Sequence, residues 1–142
     1  MLGASNATPT RCAEVLVPPM TDPERLAAYR DALGNRDALG NWNVTGYVRF
    51  QLTEQAYQWV KRELDGMTLR EIARLMHEYV AGGGVIDEVP ENRAEWVDLF
   101  AFHHDLRFTI GSRPVYIETR LEYWTPVLPD ESSILVVNIH DP

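Results

Sequence analysis

The fold is decided by residues 103–120, which read HHDLRFTIGSRPVYIETR. Apolar and polar side chains alternate on both sides of Gly111-Ser112-Arg113, and this pattern predicts a β-hairpin with one apolar face and one polar face. A slip of one residue in the pairing would exchange the two faces, so the hydrophobic pattern fixes the register. We expect the rest of the chain to cover the apolar face or to extend the sheet.

Strand and helix signals occur on both sides of this hairpin. Residues 46–52 alternate in the manner of a strand, and Thr53 caps a helix with apolar residues at helical spacing. Thr68 and Glu71 form a capping box that opens a second helix. Residues 134–140 predict the last strand. The predicted order is β-α-α-β-β-β, an α+β fold in which a helical hairpin packs on one face of an antiparallel sheet.

The chain divides into three parts. Residues 1–20 contain several prolines without periodicity and are interpreted as a flexible leader. Residues 21–45 begin with a helix-start signal that has proline in the first turn, which predicts an N-terminal helical extension. Residues 46–142 form a single α+β domain. Within it, residues 85–92 are interpreted as a connection, and residues 93–102 fit neither the helical nor the strand period.

Composition limits the classes of function. The chain has 142 residues, enough for one domain, and a net charge of −8. No segment of the chain is net basic, with 4 basic and 5 acidic residues in 1–45, 6 and 10 in 46–102, and 3 and 6 in 103–142. This balance counts against nucleic acid as the main partner. A single cysteine favours a reducing cytoplasm, and no apolar run approaches the ~20 residues of a membrane span.

Alternation also predicts which polar side chains share a face of the sheet. On the last strand, Leu135, Val137 and Ile139 are assigned to the apolar face, and the residues between them to the other face. Matching the apolar faces of the three strands leaves one polar surface. Its predicted members are His103, Asp105, Arg107, Tyr116, Glu118, Arg120, Asn138 and His140.

These side chains could cleave RNA without a metal. The reaction needs a base for the 2′-hydroxyl proton, an acid for the leaving oxygen and a cation for the charged phosphorane. Glu118 or one histidine could be the base, and the other histidine the acid. The catalytic residues are therefore predicted to be Arg107, His140, Glu118 and His103. The predicted substrate-binding residues are Tyr116, Arg120, Asn138 and Asp105.

The same face allows two further interpretations. It could be a solvated surface with cross-strand ion pairs such as Asp105–Arg120 or Arg107–Glu118. A metal site is not expected, because His104 faces the core and no paired-ligand spacing is present. No cofactor is predicted.

Residues 46–141 resemble the RelE/YoeB-type bacterial toxin superfamily, which includes the MqsR-like toxins. The similarity lies in a strand running into a helix (YVRFQLTEQA, 47–56), a proline-containing connection (EVPE, 88–91), a hairpin with a central glycine (LRFTIGSRPVY, 106–116) and a last strand ending near a histidine (VVNIH, 136–140). Arg107 matches the hairpin arginine of that family, and His140 its terminal histidine. The resemblance implies a cytoplasmic messenger-RNA endoribonuclease, acting alone or on the ribosome and silenced by an antitoxin.

Two alternatives stay open. The chain could be a non-catalytic acidic module that binds a protein partner through the proline-bearing loop 122–132 and the leader. It could also hold a small molecule in a pocket lined by Trp59, Trp96 and Tyr116. The sequence does not indicate an oligomeric state.

Overall fold

A five-stranded sheet forms the centre of the fold. The structure is a computed structural model that describes residues 17–36, 39, 42–43, 49–128 and 131–142. The helices within these residues are α1 (Pro23–Leu33), α2 (Glu54–Glu63) and α3 (Leu69–Ala81). The strands are β1 (Asn35–Arg36), β2 (Trp42–Asn43), β3 (Phe50–Leu52), β4 (Ile86–Pro90), β5 (Phe102–Ile110), β6 (Arg113–Glu122) and β7 (Ser133–His140). The predicted α+β class is confirmed. None of the helices in the described part of the chain is long and apolar enough to cross a membrane.

The large sheet has the strand order β3-β7-β6-β5-β4, and β1 pairs with β2 in a separate ribbon. β3 runs parallel to β7, whereas the other pairs of the large sheet are antiparallel. The sheet is therefore mixed, which corrects the predicted wholly antiparallel sheet. The parallel pair is possible because the chain from β3 to β7 passes through two helices and three strands, a connection long enough to return in the same direction.

β5 and β6 form the predicted hairpin, with Asp105 opposite Glu118 and Arg107 opposite Tyr116. The cross-strand ion pairs Asp105–Arg120 and Arg107–Glu118 considered from the sequence therefore do not lie directly opposite each other. β5 and β6 pair from His104 opposite Thr119 to Ile110 opposite Arg113, so that a two-residue turn joins them. Gly111 has a φ of 65°, in the left-handed region that a glycine enters without steric cost. A glycine at the first central position is typical of the type II′ turn that matches the twist of paired strands.

β4 was missed by the sequence-based prediction, which assigned its residues to a connection. It is an edge strand that pairs with β5 from Ile86 opposite Leu106 to Pro90 opposite Phe102. Its acidic residues and its terminal proline are unfavourable in strand interiors but tolerated at an edge. Its pattern therefore does not resemble that of the buried strands.

The outer edge of β4 is partly covered by the end of the predicted leader. The amide of Met20 donates to the carbonyl of Ile86 at 2.7 Å, and the amide of Glu88 donates to the carbonyl of Pro18 at 2.9 Å. These bonds satisfy backbone groups that an uncovered edge would expose. Residues 1–16 of the leader, and residues 46–48 of the predicted first strand, lie outside the described residues.

One cross-strand row shows how the apolar face is built. Ile86, Leu106, Ile117 and Ile139 lie side by side on four adjacent strands, and each is at most 2% exposed. They belong to one core with buried residues of all three helices. Burial of each such side chain contributes roughly 1.5–3 kcal/mol. The helical members of the core include Tyr29, Leu33, Val60, Ile72 and Met76.

A β-bulge in β7 changes which residues face this core. Thr119 pairs with Val136 but Glu118 pairs with Asn138, so Val137 is an extra residue on β7. Ile134 and Val136 consequently face the core before the bulge, and Ile139 faces it after the bulge. The predicted strict alternation placed Ile134 and Val136 on the polar face and was wrong there, because a bulge resets the period of two.

Hydrogen bonds of Thr53 connect the bulge to the start of α2. The Thr53 hydroxyl donates to the carbonyl of Val137 at 2.7 Å and accepts from the amide of Ala56 at 3.2 Å. The Thr53 amide also donates to the carbonyl of Val136 at 2.9 Å. One residue therefore caps a helix and holds the irregular part of a strand.

We expect Thr53→Ala to lower the free energy of unfolding by about 1–2 kcal/mol, because it removes both the cap and the bond to the bulge. Thr53→Ser, which keeps the hydroxyl, is the matched control and should stay close to wild type. Urea unfolding of the three proteins provides the measurement. Equal stabilities for Thr53→Ala and wild type would show that the cap does not hold the bulge.

Candidate functional site

The face of the sheet opposite the helices, called here the outer face, carries the polar side chains predicted from the sequence. Residues directly opposite each other on neighbouring strands share a face. One row across the sheet consists of Asp87, Asp105, Glu118 and Asn138, and the next of Arg107, Tyr116 and His140. His103 and Arg120 contact Asp105 and Glu118 on the same face. All eight predicted residues therefore share one face, whereas their chemical roles stay predictions.

Arg120 is the most buried group of the outer face, with no solvent exposure. Its Nε lies 2.5 Å from Glu91 Oε1, and its Nη1 lies 2.9 Å from Glu118 Oε2. The guanidinium stacks 5.4 Å from the ring centroid of Trp96. Arg93 completes the group through a hydrogen bond of 3.1 Å from its Nη2 to Glu118 Oε1. Two guanidinium groups thus balance two carboxylates beneath an indole.

Asp105 links two neighbouring polar side chains and is itself only 1% exposed. His103 Nδ1 lies 2.7 Å from one carboxylate oxygen, and the Tyr116 hydroxyl donates to the other. A carboxylate accepts hydrogen bonds, so the tautomer of His103 that satisfies this contact carries a proton on Nδ1. Burial, followed by the hydrogen bond to Asp105, raises the pKa of Tyr116, which therefore remains a proton donor.

The row of Arg107, Tyr116 and His140 is partly open to solvent. The Tyr116 and His140 rings stack with their centroids 5.0 Å apart. The Arg107 guanidinium lies 5.5 Å from the Tyr116 ring centroid and donates to Asp87 Oδ2 at 2.6 Å. The Tyr116 ring thus packs against both His140 and Arg107, and the Asp87 carboxylate binds Arg107 at one end of the row.

The geometry separates some of the residues predicted to act together. His103 lies four residues along β5 from Arg107, which corresponds to about 13 Å in a strand, and His140 lies two strands away from β5. The two histidines therefore do not reach the same phosphodiester as acid and base. Glu118 contacts two guanidinium groups and is only 6% exposed. These contacts give it a structural role and do not leave it open to act as a base.

Several residues of this face were not found from the sequence. Glu91, Arg93 and Trp96 belong to residues 91–101, a turn-rich segment without periodicity, and Asp87 belongs to the unrecognised β4. No pattern links Trp96 with Arg120, since their contact depends on how the segment folds over the sheet. Among the described residues, no group of three or more histidines, cysteines or carboxylates is placed to hold a metal ion.

A second surface lies where residues 91–101 meet the loop after β6. Its pocket of about 470 Å³ is lined by aromatic side chains from both segments and by Arg25 and His104. This pocket differs from the predicted one, because Trp59 lies beneath Arg113 and Trp96 lies over Arg120. Leu99 and Tyr123, which are 70% and 74% exposed, lie at its mouth.

Arg120→Met should lower the free energy of unfolding by about 3–5 kcal/mol, because it leaves the carboxylates of Glu91 and Glu118 buried without their shared cation. Arg107→Met, the same change on the neighbouring strand, should cost at most about 1 kcal/mol, since that ion pair is half exposed. Both values can be measured by denaturant unfolding. Similar losses in the two variants would contradict the structural role of Arg120.

The chain matches no protein-family model, no curated protein and no solved structure. The likeness of residues 46–141 to RelE/YoeB-type toxins therefore stays a prediction based on element order and on a few residues. Any function assigned to the chain has to be argued from the surfaces described above.

Proposed function

We propose that the chain is a binding module that recognises a basic polypeptide through an exposed apolar surface next to the pocket. The observation that carries this proposal is a set of large apolar side chains, from 49% to 83% exposed, on two loop segments. Leu99 and Tyr123 of this set line the pocket, and exposed apolar side chains that form a patch mark interaction sites or ligand-binding grooves. This apolar loop surface consists of Val97, Leu99, Tyr123, Val127 and Leu128.

The charge around the apolar loop surface specifies the partner. Residues 91–101 and 122–132 contain six acidic residues and one basic residue, Arg93, which is paired with Glu118. Glu95, Asp98 and Glu131 are exposed on the same two segments as the apolar side chains. With a net charge of −8 for the whole chain, this rim favours a partner that presents apolar side chains flanked by lysine or arginine.

One half of this surface rests on a rigid support. Residues 91–101 are anchored by the buried contacts of Glu91 and Trp96 with Arg120, and the amides of Leu99 and Phe100 bond to the carbonyl of Trp96. A surface that is ordered before binding loses less conformational entropy when it docks. The fixed position of Leu99 therefore supports a role in recognition.

Selection of peptides from a random display library tests this proposal with a defined probe. Peptides enriched on wild type should combine a bulky apolar residue with lysine or arginine. They should bind Leu99→Ser/Tyr123→Ser at least about tenfold more weakly, because the apolar anchors are lost. Affinity should also fall with added salt.

The matched control is Tyr57→Ser/Val85→Ser, which removes two exposed apolar side chains elsewhere on the protein. It should bind the peptides as wild type does. Enriched peptides that lack basic residues, or that bind both double variants equally, would rule the proposal out.

A second candidate function is metal-independent cleavage of RNA on the outer face, as the resemblance to RelE/YoeB-type toxins implies. It is favoured by the contact of Arg107, Tyr116 and His140 in one partly open row. Here His140 would take the 2′-hydroxyl proton as that oxygen attacks phosphorus, and would return the proton to the leaving 5′-oxygen as its bond to phosphorus breaks. Arg107 would bind the phosphate, and the Tyr116 ring packs against both side chains. It is the weaker candidate because Arg107 is paired with Asp87, and Arg93 and Arg120 with Glu118.

Purified protein incubated with RNA, alone and with translating ribosomes, tests this candidate. If the row is catalytic, His140→Ala and Arg107→Ala should each reduce cleavage by about 10²-fold or more, whereas Arg74→Ala on the exposed side of α3 should not. Cleavage that persists unchanged in His140→Ala, or the absence of cleavage under every condition, would eliminate the candidate.

A further inference from the structure

The pocket beside the apolar loop surface has features of a small-molecule site. Its volume of about 470 Å³ falls within the range of roughly 300–1,000 Å³ that is usual for ligand pockets. Phe100 lines it from the segment before β5, Phe102 from the first residue of β5, and Trp124 from the loop after β6. Walls of this kind favour a flat apolar ring over a flexible polar ligand.

The pocket has few polar side chains in the described part of the chain, and none of them carries a negative charge. Of the described residues that line it, Arg25 is the only one with a permanent charge, and none is a carboxylate. His104 also lines it, and burial lowers the pKa of its imidazole, so this side chain is neutral near pH 7. Its Nε2 lies 3.0 Å from Glu88 Oε2, which fixes the ring.

Arg25 retains unused hydrogen-bonding capacity. Its Nη2 donates to Glu88 Oε2 at 2.6 Å, but its buried Nε has no hydrogen-bond partner among the described residues. A guanidinium has five N–H donors, and a buried donor without a partner is costly. The Nε atom has no solvent contact and lies out of a ligand's reach, but the Arg25 side chain is 24% exposed. Its remaining Nη donors can therefore bond to an acceptor carried by a ligand, and an anionic acceptor would bind most strongly.

Other ligand classes fit the pocket less well. A cation would be repelled by Arg25, and a purely apolar ligand would leave the guanidinium unsatisfied. A phosphate with two charges is disfavoured because the pocket offers one arginine, which Glu88 already partly neutralises. A single carboxylate attached to an aromatic ring matches both the walls and the charge.

We propose that this pocket binds a small aromatic carboxylate, with its ring among Phe100, Phe102 and Trp124 and its carboxylate on Arg25. This site goes beyond the proposed recognition of a basic polypeptide. Arg25 is not part of the apolar loop surface, so the two proposals can fail independently.

Binding of 2-naphthoate and of its neutral amide, 2-naphthamide, tests this proposal on the full chain. The two probes have the same ring and differ in charge. We expect the indole N–H resonance of Trp124, assigned with Trp124→Phe, to shift with 2-naphthoate in NMR titrations. The acid should bind at least about tenfold more tightly than the amide, because only the acid forms a charge-assisted bond with Arg25.

Variants of α1 provide the matched comparison. Arg25→Met should reduce the affinity for 2-naphthoate to that for the amide, and Arg25→Lys should keep part of the difference. Arg30→Met, on an exposed site of the same helix, should bind as wild type does. Equal affinities of wild type for the acid and the amide, an unchanged affinity in Arg25→Met, or no shift of the Trp124 resonance would each overturn the proposal.

Discussion

The buried guanidinium of Arg120 is the contact on which the outer half of this protein depends. A cation without solvent contact is stable only if carboxylates surround it, and Glu91 and Glu118 supply them from two different parts of the chain. Glu118 lies on the same strand, whereas Glu91 begins the segment that crosses the sheet. The ion pair therefore fixes where residues 91–101 lie, and with them Trp96 over the sheet and Leu99 at the pocket mouth.

The two faces of the sheet are stabilised by different interactions. The helix-covered face is held by close-packed apolar rows such as the one through Leu106 and Ile117. The outer face is held by charge pairing, which requires specific partners at specific positions. The bulge at Val137 lets β7 contribute side chains to both faces, because Val136 faces the core while Asn138 lies beside Glu118 on the outer face. A strand without the extra residue could not place both of them correctly.

Local chemistry explains how much of this structure the sequence predicts. The caps at Thr53 and Thr68 and the glycine turn at Gly111 are signals carried by neighbouring residues, and those elements form as predicted. β4 and residues 91–101 have no such local signal, because an edge strand and an ion-paired segment are defined by what they contact. The alternation of the strands assigns the eight residues of the candidate site to one face. The ion pair between Arg93 and Glu118 could not be predicted, because Arg93 lies in a segment with neither helical nor strand periodicity.

The charge pairing of the outer face also distinguishes the two candidate functions. A phosphate-cleaving face has to stabilise a doubly charged phosphorane, whereas Arg107, Arg93 and Arg120 are each already partly neutralised by a carboxylate. Breaking such a pair to admit RNA would expose one negative charge for each cation released, in a chain that already carries −8. A surface of exposed apolar side chains with an acidic rim has no such obstacle. The pairing that stabilises the outer face is thus the physical reason to locate recognition in the loops beside it.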